Sequence, residues 1–426
     1  MLTMMLLVIV AGFVAGVPIA FAIGLGSLAY LWFTDVGSVS LMAEEVAVSY
    51  DNLILTAVPL FMFTGMLMTE AGLTSRLIDF ANSLVGRVRG GLAHVNVISN
   101  VVMSGISGAA TSDAAAVGSV LIPAMVRSGY PKPFAAAITA AAATLGPVIP
   151  PSIPMLVYCA FADVSVGRAL LAGVMPGVFM AFAMLVINHW LAVRRNYPVS
   201  ETPFSVVRAL RETVRVTPVL AVTVIIIGGV VSGIFTATEA SAVAALLVLM
   251  LGLFLYRALT WRVMRKVALQ SAVLTGVIMT VLGLAKVLAW ILTRERVASY
   301  LTDTFTALGS DPTTFLLVLT VVLLVMGCFL DATPIMIIVL PVVVPVAKAL
   351  HVDLVHMGVV VVLSLMIGLL TPPVGLTAML VCSMAKLRMS ELVRECWPYW
   401  LGILACIVVV IVFPRSIMWV PNLLMK

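Results

Sequence analysis

Long apolar runs recur from one end of this chain to the other, at Leu2 to Phe33, Val219 to Val231, Ala240 to Tyr256, Phe315 to Met326 and Gly358 to Leu370. Many approach the ~20 helical residues that cross a ~30 Å hydrocarbon core. A soluble domain carries roughly 25% charged residues, whereas here 10% are charged and 63% hydrophobic. Lipid is therefore the solvent for most of the chain, and backbone in lipid must satisfy its own hydrogen bonds. The expected fold is an all-α polytopic membrane protein with no room for a sizeable soluble domain. Met1 to Leu6 carries no basic residue and the first run outlasts a secretory h-region, so it reads as mature structure. It is either one long tilted helix or two short ones meeting near Gly16-Val17-Pro18.

The net charge of +6 does not point to nucleic acid, because in a membrane protein the placement of cations carries the information. Gly86 to Gly91, Arg127 to Pro133, Leu191 to Val216, Arg257 to Lys266 and Lys386 to Cys396 hold 16 of the 24 Lys and Arg residues, which makes that side cytoplasmic. Thr34 to Asn52, Phe161 to Gly167 and Ser232 to Thr238 contain none, and the first carries Asp35, Glu44, Glu45 and Asp51. Between Arg194 and Thr217 the residues Phe204, Val207, Leu210 and Val214 share a helical face opposite Arg208, Arg211 and Arg215. The pattern predicts a helix lying along the cytoplasmic surface, with a solvated loop as the plainer alternative.

An internal repeat runs at an offset of 222 residues. Gly105 pairs with Gly327, Ala110 with Ala332, Thr111 with Thr333, Pro123 with Pro345, Gly146 with Gly368, and Pro150-Pro151 with Pro372-Pro373. Punctuation residues repeat because backbone geometry repeats. Each copy starts with an apolar segment broken in the middle: Leu92 to Met103, Ser104 to Gly108, Ser112 to Val126; and Thr313 to Met326, Gly327 to Pro334, Ile335 to Lys348. Arms of ~12–15 residues rise ~18–22 Å, too short to cross, so both are expected to be re-entrant hairpins. A segment interrupted by Gly-x-x-x-Pro-Pro follows in each, where proline breaks the helix. Five crossings separate the hairpins, near Phe134 to Ala160, Arg168 to Trp190, Pro218 to Val231, Glu239 to Tyr256 and Ala268 to Leu292. An odd number inverts the second copy.

Unwound backbone at membrane depth survives where it lines a polar cavity or binds something. Helix N-termini there suit an anionic solute, and carbonyls and hydroxyls suit a small cation. One cation site would join Ser104 and Ser107 to carbonyls around Gly146 to Pro150; a second would join the Gly327 to Thr333 tip to Gly368 to Thr371. The bland alternative is that these small residues only allow close helix packing. Intramembrane Asp113 and Asp331 are functional candidates by default. Asp331 could balance a cation, and Asp113 could instead be tied up by backbone amides. Thr111, Thr333, Asp113, Lys286 and Arg294 are the candidate solute contacts, with snorkelling the alternative for Arg294 and a buried carboxylate partner for Lys286. Cys159, Cys328, Cys382, Cys396 and Cys406 lack paired spacing, and the four histidines lack metal-ligand spacing. No nucleophile motif, phosphate loop or dinucleotide fingerprint is present. The sequence thus reads as that of a transporter rather than an enzyme, with no cofactor and with energy drawn from an ion gradient.

Val58-Pro59-Leu60-Phe61, Ser104 to Asp113, Gly146 to Ser152, Gly233-Ile234-Phe235-Thr236-Ala237-Thr238-Glu239-Ala240, Leu330 to Pro334 and Leu370 to Gly375 together resemble the large membrane (permease, M) subunit of tripartite ATP-independent periplasmic transporters, of the dicarboxylate and sialic acid type. The resemblance covers nearly the whole chain. It implies an inverted-repeat elevator fold in the bacterial inner membrane, with two re-entrant hairpins and two broken helices, coupled to sodium ions. It also implies a small four-helix (Q-type) membrane subunit and a periplasmic solute-binding protein delivering an organic acid. Family sodium sites fall on Ser104, Ser107, Gly146, Val148 and Pro150, and on Gly327, Asp331, Gly368 and Thr371. Arg294 falls where the family often has a basic residue, and Lys286 departs from the pattern.

The expected organisation is N-terminal scaffold helices over 1–85, a first repeat of the transport domain over 86–175, scaffold helices with the cytoplasmic amphipathic helix over 176–292, a second repeat over 293–396 and a C-terminal transmembrane helix over 397–426. Two rivals to sodium-coupled uptake are a stand-alone inverted-repeat carboxylate or ion transporter and a non-transporting membrane anchor or receptor.

Overall fold

The computed structural model describes residues 1–34, 39–51, 53–86, 88–199, 205–307 and 311–425. Asp35, Asn52 and Phe204 of the sequence reading lie outside them. Regular structure among the described residues is helical. The chain opens with α1 (Leu2–Val14), α2 (Ile19–Thr34), α3 (Val39–Tyr50), α4 (Leu53–Glu70) and α5 (Leu73–Val85). Next come α6 (Gly91–Ser107), α7 (Ala110–Arg127), α8 (Lys132–Ala143) and α9 (Ile153–Ala162). The middle holds α10 (Val166–Arg194), α11 (Val206–Val231), α12 (Ala237–Met250) with a π turn at Leu251–Leu255, α13 (Trp261–Arg294) and α14 (Val297–Ala307). The chain continues through α15 (Pro312–Gly327), α16 (Ala332–Ala349), α17 (Leu354–Gly368) and α18 (Leu376–Ala385) to α19 (Met389–Val412) and α20 (Arg415–Leu424).

Among the described residues, six helices are long and apolar enough to cross a membrane: α10, α11, α12 with its π turn, α13, α16 and α19. The first apolar run is two short helices. A Cβ built on Gly12 of α1 would lie 3.2 Å from that of Ala22, and one on Gly26 of α2 would lie 3.0 Å from the carbonyl of Met5. This pairing is antiparallel.

The repeat is structural as well as sequential. Shifted by 222 residues, Ala110–Arg127 (α7) becomes Ala332–Ala349 (α16) end for end, and the other three helices of each copy match within a few residues. The two copies also exchange partners, since α7 packs on α18 and α16 packs on α9. Such reciprocal contacts are what a two-fold axis between the copies produces. The core sits on the interrupted segments, with Phe134 to Ala143 of α8 and Val355 to Gly368 of α17 buried on every side. Their all-round apolar character suits that position.

Several boundaries differ from the sequence reading. The first hairpin does not unwind over Ser104 to Gly108, because α6 continues through Ser107 and only Gly108 and Ala109 turn the chain. Tertiary contacts outweigh the ~1 kcal/mol helix cost of a glycine, and the Gly105 carbonyl near the end of α6 accepts a hydrogen bond from Thr223 Oγ1 of α11 at 2.9 Å. The arms α6 and α7 are thus 17 and 18 residues long, or ~25–27 Å at 1.5 Å per residue. In the second hairpin the break is confined to 328–331, and Pro334 sits in the first turn of α16, where its missing amide costs little. The basic amphipathic stretch is not a separate surface helix: α11 runs unbroken from Val206 through Pro218 to Val231. Helices α10, α13 and α19 run across positions 175/176, 292/293 and 396/397.

Candidate substrate and cation site

Each hairpin tip is hydrogen-bonded to the break of the interrupted helix in its own repeat. The Ile153 amide, two residues after Pro151, donates to the Gly108 carbonyl at 3.3 Å; the Gly375 amide, two residues after Pro373, donates to the Cys328 carbonyl at 3.0 Å, with the Val374 amide adding a bond at 3.1 Å. Ile153 and Gly375 are equivalent under the 222 offset. Gly108 turns the first tip with φ +62°, and a Cβ there would stand 2.6 Å from the Pro151 carbonyl, so only glycine lets the tip seat. Both Pro-Pro bonds are cis.

The two tips open onto one cavity of about 570 Å³. Ser107 to Ser112 line it from the first hairpin and Asp331 to Pro334 from the second, so the equivalent residues Thr111 and Thr333 share its wall. Ile153 and Pro154 bring the start of α9, and Gly65 of α4 and Val281 of α13 also line it. Three helices therefore begin at this cavity, α7, α9 and α16. Helix starts carry partial positive charge and unpaired amides. Asp331 is the ionisable residue on the wall; it caps α16 through Oδ1, which accepts from the Ala332 amide at 2.9 Å.

Asp113 does not line the cavity. It is fully buried behind the first tip, where Ser107 Oγ donates to its Oδ1. Its other oxygen, Oδ2, has no partner among the described residues and abuts Gly146, since a Cβ on that glycine would collide with it. Asp113, Ser107 and the Gly146 break thus converge, although Asp113 was expected among the solute contacts. Ser104 donates to the Val101 carbonyl at 2.6 Å and is buried on the same arm. Val148 and Pro150 are buried in the loop of the first break, with the Val148 carbonyl 2.5 Å from where a Cβ on Gly173 of α10 would stand. In the second repeat, Gly327 and Gly368 pack backbone against backbone, with 2.9 Å between a Cβ built on Gly327 and the Cα of Gly368. Thr371 Oγ1 donates to the Ile367 carbonyl at 2.7 Å.

Lys286 and Arg294 lie elsewhere. Lys286 borders a small cavity of about 120 Å³ beside Ser49 and Phe161 and also lines a cleft of about 510 Å³ with Glu45 and Arg294, where Arg294 stacks on Trp290, 5.6 Å from the ring centre. Sequence reasoning missed a buried polar chain on α6 and α8. Asn96 Nδ2 donates to Thr139 Oγ1 at 2.7 Å, Asn100 Nδ2 donates to Asn96 Oδ1 at 3.0 Å, and Asn100 Oδ1 has no partner among the described residues. Its signal was present, because Asn96, Asn100, Ser104 and Ser107 recur at helical spacing.

Comparison with known proteins supplies the family. The model of the DctM component of the tripartite ATP-independent periplasmic transporter matches residues 3–416. The sialic acid TRAP transporter permease protein SiaT of Haemophilus influenzae is 34% identical over 415 residues, covering 96% of this chain and 66% of its own, so the chain spans about two thirds of that relative. The C4-dicarboxylate TRAP transporter large permease protein DctM of Pseudomonas aeruginosa is 37% identical over 397 residues, covering 93% of this chain and 92% of its own. In fold, the YdaH transporter of Alcanivorax borkumensis superposes with a TM-score of 0.66 at 15% identity, covering 92% of this chain and 90% of that one. With its apolar crossings, paired hairpins and this match over almost its full length, the chain belongs to the DctM component family of tripartite ATP-independent periplasmic transporters and is a multi-pass protein of the inner membrane.

Proposed function

We propose that this chain takes up a small organic acid by sodium-coupled secondary transport, moving a body of two hairpins and two interrupted helices past a scaffold that includes α4 and α13. The observation that carries the reading is the shared cavity, in which two repeat-related tips and the starts of α7, α9 and α16 meet. Partial positive charge from helix starts, with hydroxyls of Thr111 and Thr333 beside it, suits a carboxylate. Relatives named for sialic acid and C4-dicarboxylates support that substrate class.

Asp113 supports the coupling ion. A buried carboxylate oxygen without a donor is costly unless a cation neutralises it, and Ser107 and the freed carbonyls at the Gly146 break supply the hard oxygen ligands that a sodium ion takes. Gly327, Asp331, Gly368 and Thr371 would form the second such place. Three of the four hairpin arms, α6, α7 and α15, are not among the helices of crossing length and hydropathy, which supports hairpin tips that stay inside the bilayer, re-entrant from opposite sides. A periplasmic binding protein delivers the solute, and a small four-helix membrane subunit completes the assembly.

The test is reconstitution with both partners in proteoliposomes. Accumulation of labelled sialic acid or a C4-dicarboxylate should require an inward sodium gradient and the loaded binding protein. Equal uptake under a potassium gradient would remove the coupling reading; full uptake without the binding protein would favour a stand-alone transporter.

A further inference from the structure

At its cytoplasmic end α11 is longer than a crossing requires. Its 26 residues rise ~39 Å against ~30 Å of hydrocarbon, which leaves the first ~6 residues in the headgroup layer. Their side chains are of two kinds. Val206, Val207 and Leu210 are 70%, 71% and 65% exposed, as is Val214 a turn later at 65%. Arg208 and Arg211 are interleaved with them, and neither forms an ion pair among the described residues. Arg215 pairs with Glu212 at 2.9 Å, and Asp79 of α5 is the acidic group that faces Arg208 and Arg215.

The start of α13 is drawn to the same end. Tyr256 Oη, five residues before α13, donates to the Arg215 carbonyl at 3.1 Å, and the Arg76 guanidinium covers the Tyr256 ring at 4.2 Å. Trp261 then projects, 77% exposed, followed by Arg262 and Arg265 without ion-pair partners among the described residues, and by Lys266, which is held by Glu70 at 2.6 Å. A bare solvated basic face would not carry valines and a tryptophan between its cations. Apolar side chains at the headgroup boundary with guanidinium groups beside them match a phospholipid whose headgroup is negative, since Trp and Arg each prefer the interface and anionic headgroups attract clustered Arg and Lys.

We propose that the starts of α11 and α13 form a binding surface for anionic phospholipid of the cytoplasmic leaflet, phosphatidylglycerol being the simplest such lipid, and that it fixes the scaffold in the membrane. This goes beyond the transport reading and depends only on the basic end being cytoplasmic. Arginine supplies charge that persists at every physiological pH, so the attachment is set by lipid composition and salt rather than by pH.

Trp261 is a built-in reporter. The full chain and its Trp261→Phe variant are placed in nanodiscs containing brominated phosphatidylglycerol or brominated phosphatidylcholine at equal mole fraction, and the difference in emission isolates Trp261. Quenching should be at least ~2-fold stronger with the brominated anionic lipid, and the preference should fall toward unity when salt is raised to ~0.5 M. Replacing Arg208, Arg211, Arg262 and Arg265 together by Gln should abolish the preference, while Lys at the same positions should keep it; thermal melts confirm that both variants are folded. Equal quenching by the two lipids, or a preference that survives the Gln variant, overturns the proposal. So does loss of quenching by both lipids in the assembled transporter, which would assign this face to the small membrane subunit instead.

Discussion

A Cβ placed on Gly327 would stand 2.9 Å from the Cα of Gly368, and one placed on Gly368 would run into the Cα of Gly327. These two glycines come from the second hairpin and the second interrupted helix, and no side chain fits between them. Gly368→Ala or Gly327→Ala must push the two backbones apart, an overpacking that costs about 1–3 kcal/mol. The expected result is a lower melting temperature together with loss of uptake. Gly228→Ala and Gly276→Ala are the controls, because nothing lies within 4 Å of a Cβ at either, and both should melt at or slightly above the parent. Equal effects at all four positions would show that the contact has no special role.

Asp113 and Ser107 should govern the response to sodium. If Asp113 Oδ2 completes a cation site, sodium binds the folded chain alone and raises its melting temperature with concentration. Asp113→Asn keeps the shape, removes the charge and should weaken the apparent sodium affinity by at least ~10-fold; Ser107→Ala should weaken it less. Melting curves taken in sodium against choline chloride, without substrate, read this directly. An unchanged sodium shift in Asp113→Asn would leave that carboxylate a structural group.

The repeat was legible because Gly and Pro dictate backbone conformation wherever they stand, so the Gly-x-x-x-Pro-Pro breaks at 146–151 and 368–373 fell where expected. The first hairpin tip was legible only to within a turn. Ser104, Gly105 and Ser107 read locally as helix-breaking, yet packing keeps all three helical, and the burial that decides this comes from segments distant in sequence. Asp113 illustrates the same limit: its place on a hairpin arm was visible, but which way its two oxygens face depends on Gly146, far along the chain. Lys286 and Arg294 were singled out for charge alone, and charge does not say which cavity a long helix turns toward. The amphipathic start of α11 was recognised from its period, while its continuity through Pro218 was not, since a proline near the beginning of a crossing is equally compatible with a break.

Thr111 and Thr333 occupy equivalent positions on the wall of the central cavity, in the first turns of α7 and α16. A hydroxyl bonded to a carboxylate is worth ~1.5–3 kcal/mol, so Thr111→Val and Thr333→Val should each raise KM for an organic acid by roughly 10–100-fold. The sodium-dependent rise in melting temperature should be unaffected, because Asp113 is hydrogen-bonded through its side chain to Ser107 and to neither threonine among the described residues. Counterflow measurements in proteoliposomes separate the two effects. A fall in sodium response without a change in KM would move these threonines from the solute to the ion.

The outer arm of the second hairpin begins with a charged cap whose effect can be followed by pH. Asp311 Oδ1 accepts from the Thr314 hydroxyl at 2.6 Å and from the Thr314 amide at 2.9 Å, and these bonds hold its carboxyl below the ordinary value of 3.8. A carboxyl whose folded value is depressed adds stability above its unfolded value and loses it as pH falls through the folded one. Asp311→Ala should therefore melt roughly 1–3 °C lower at about pH 7, and the gap should close below the ordinary carboxylate range. Asp311→Asn keeps an oxygen that accepts the same amide bond, so it should retain much of the melting temperature and show none of the acid-dependent loss. A gap that stays constant to acid pH would mean that the cap acts through its shape and not its charge.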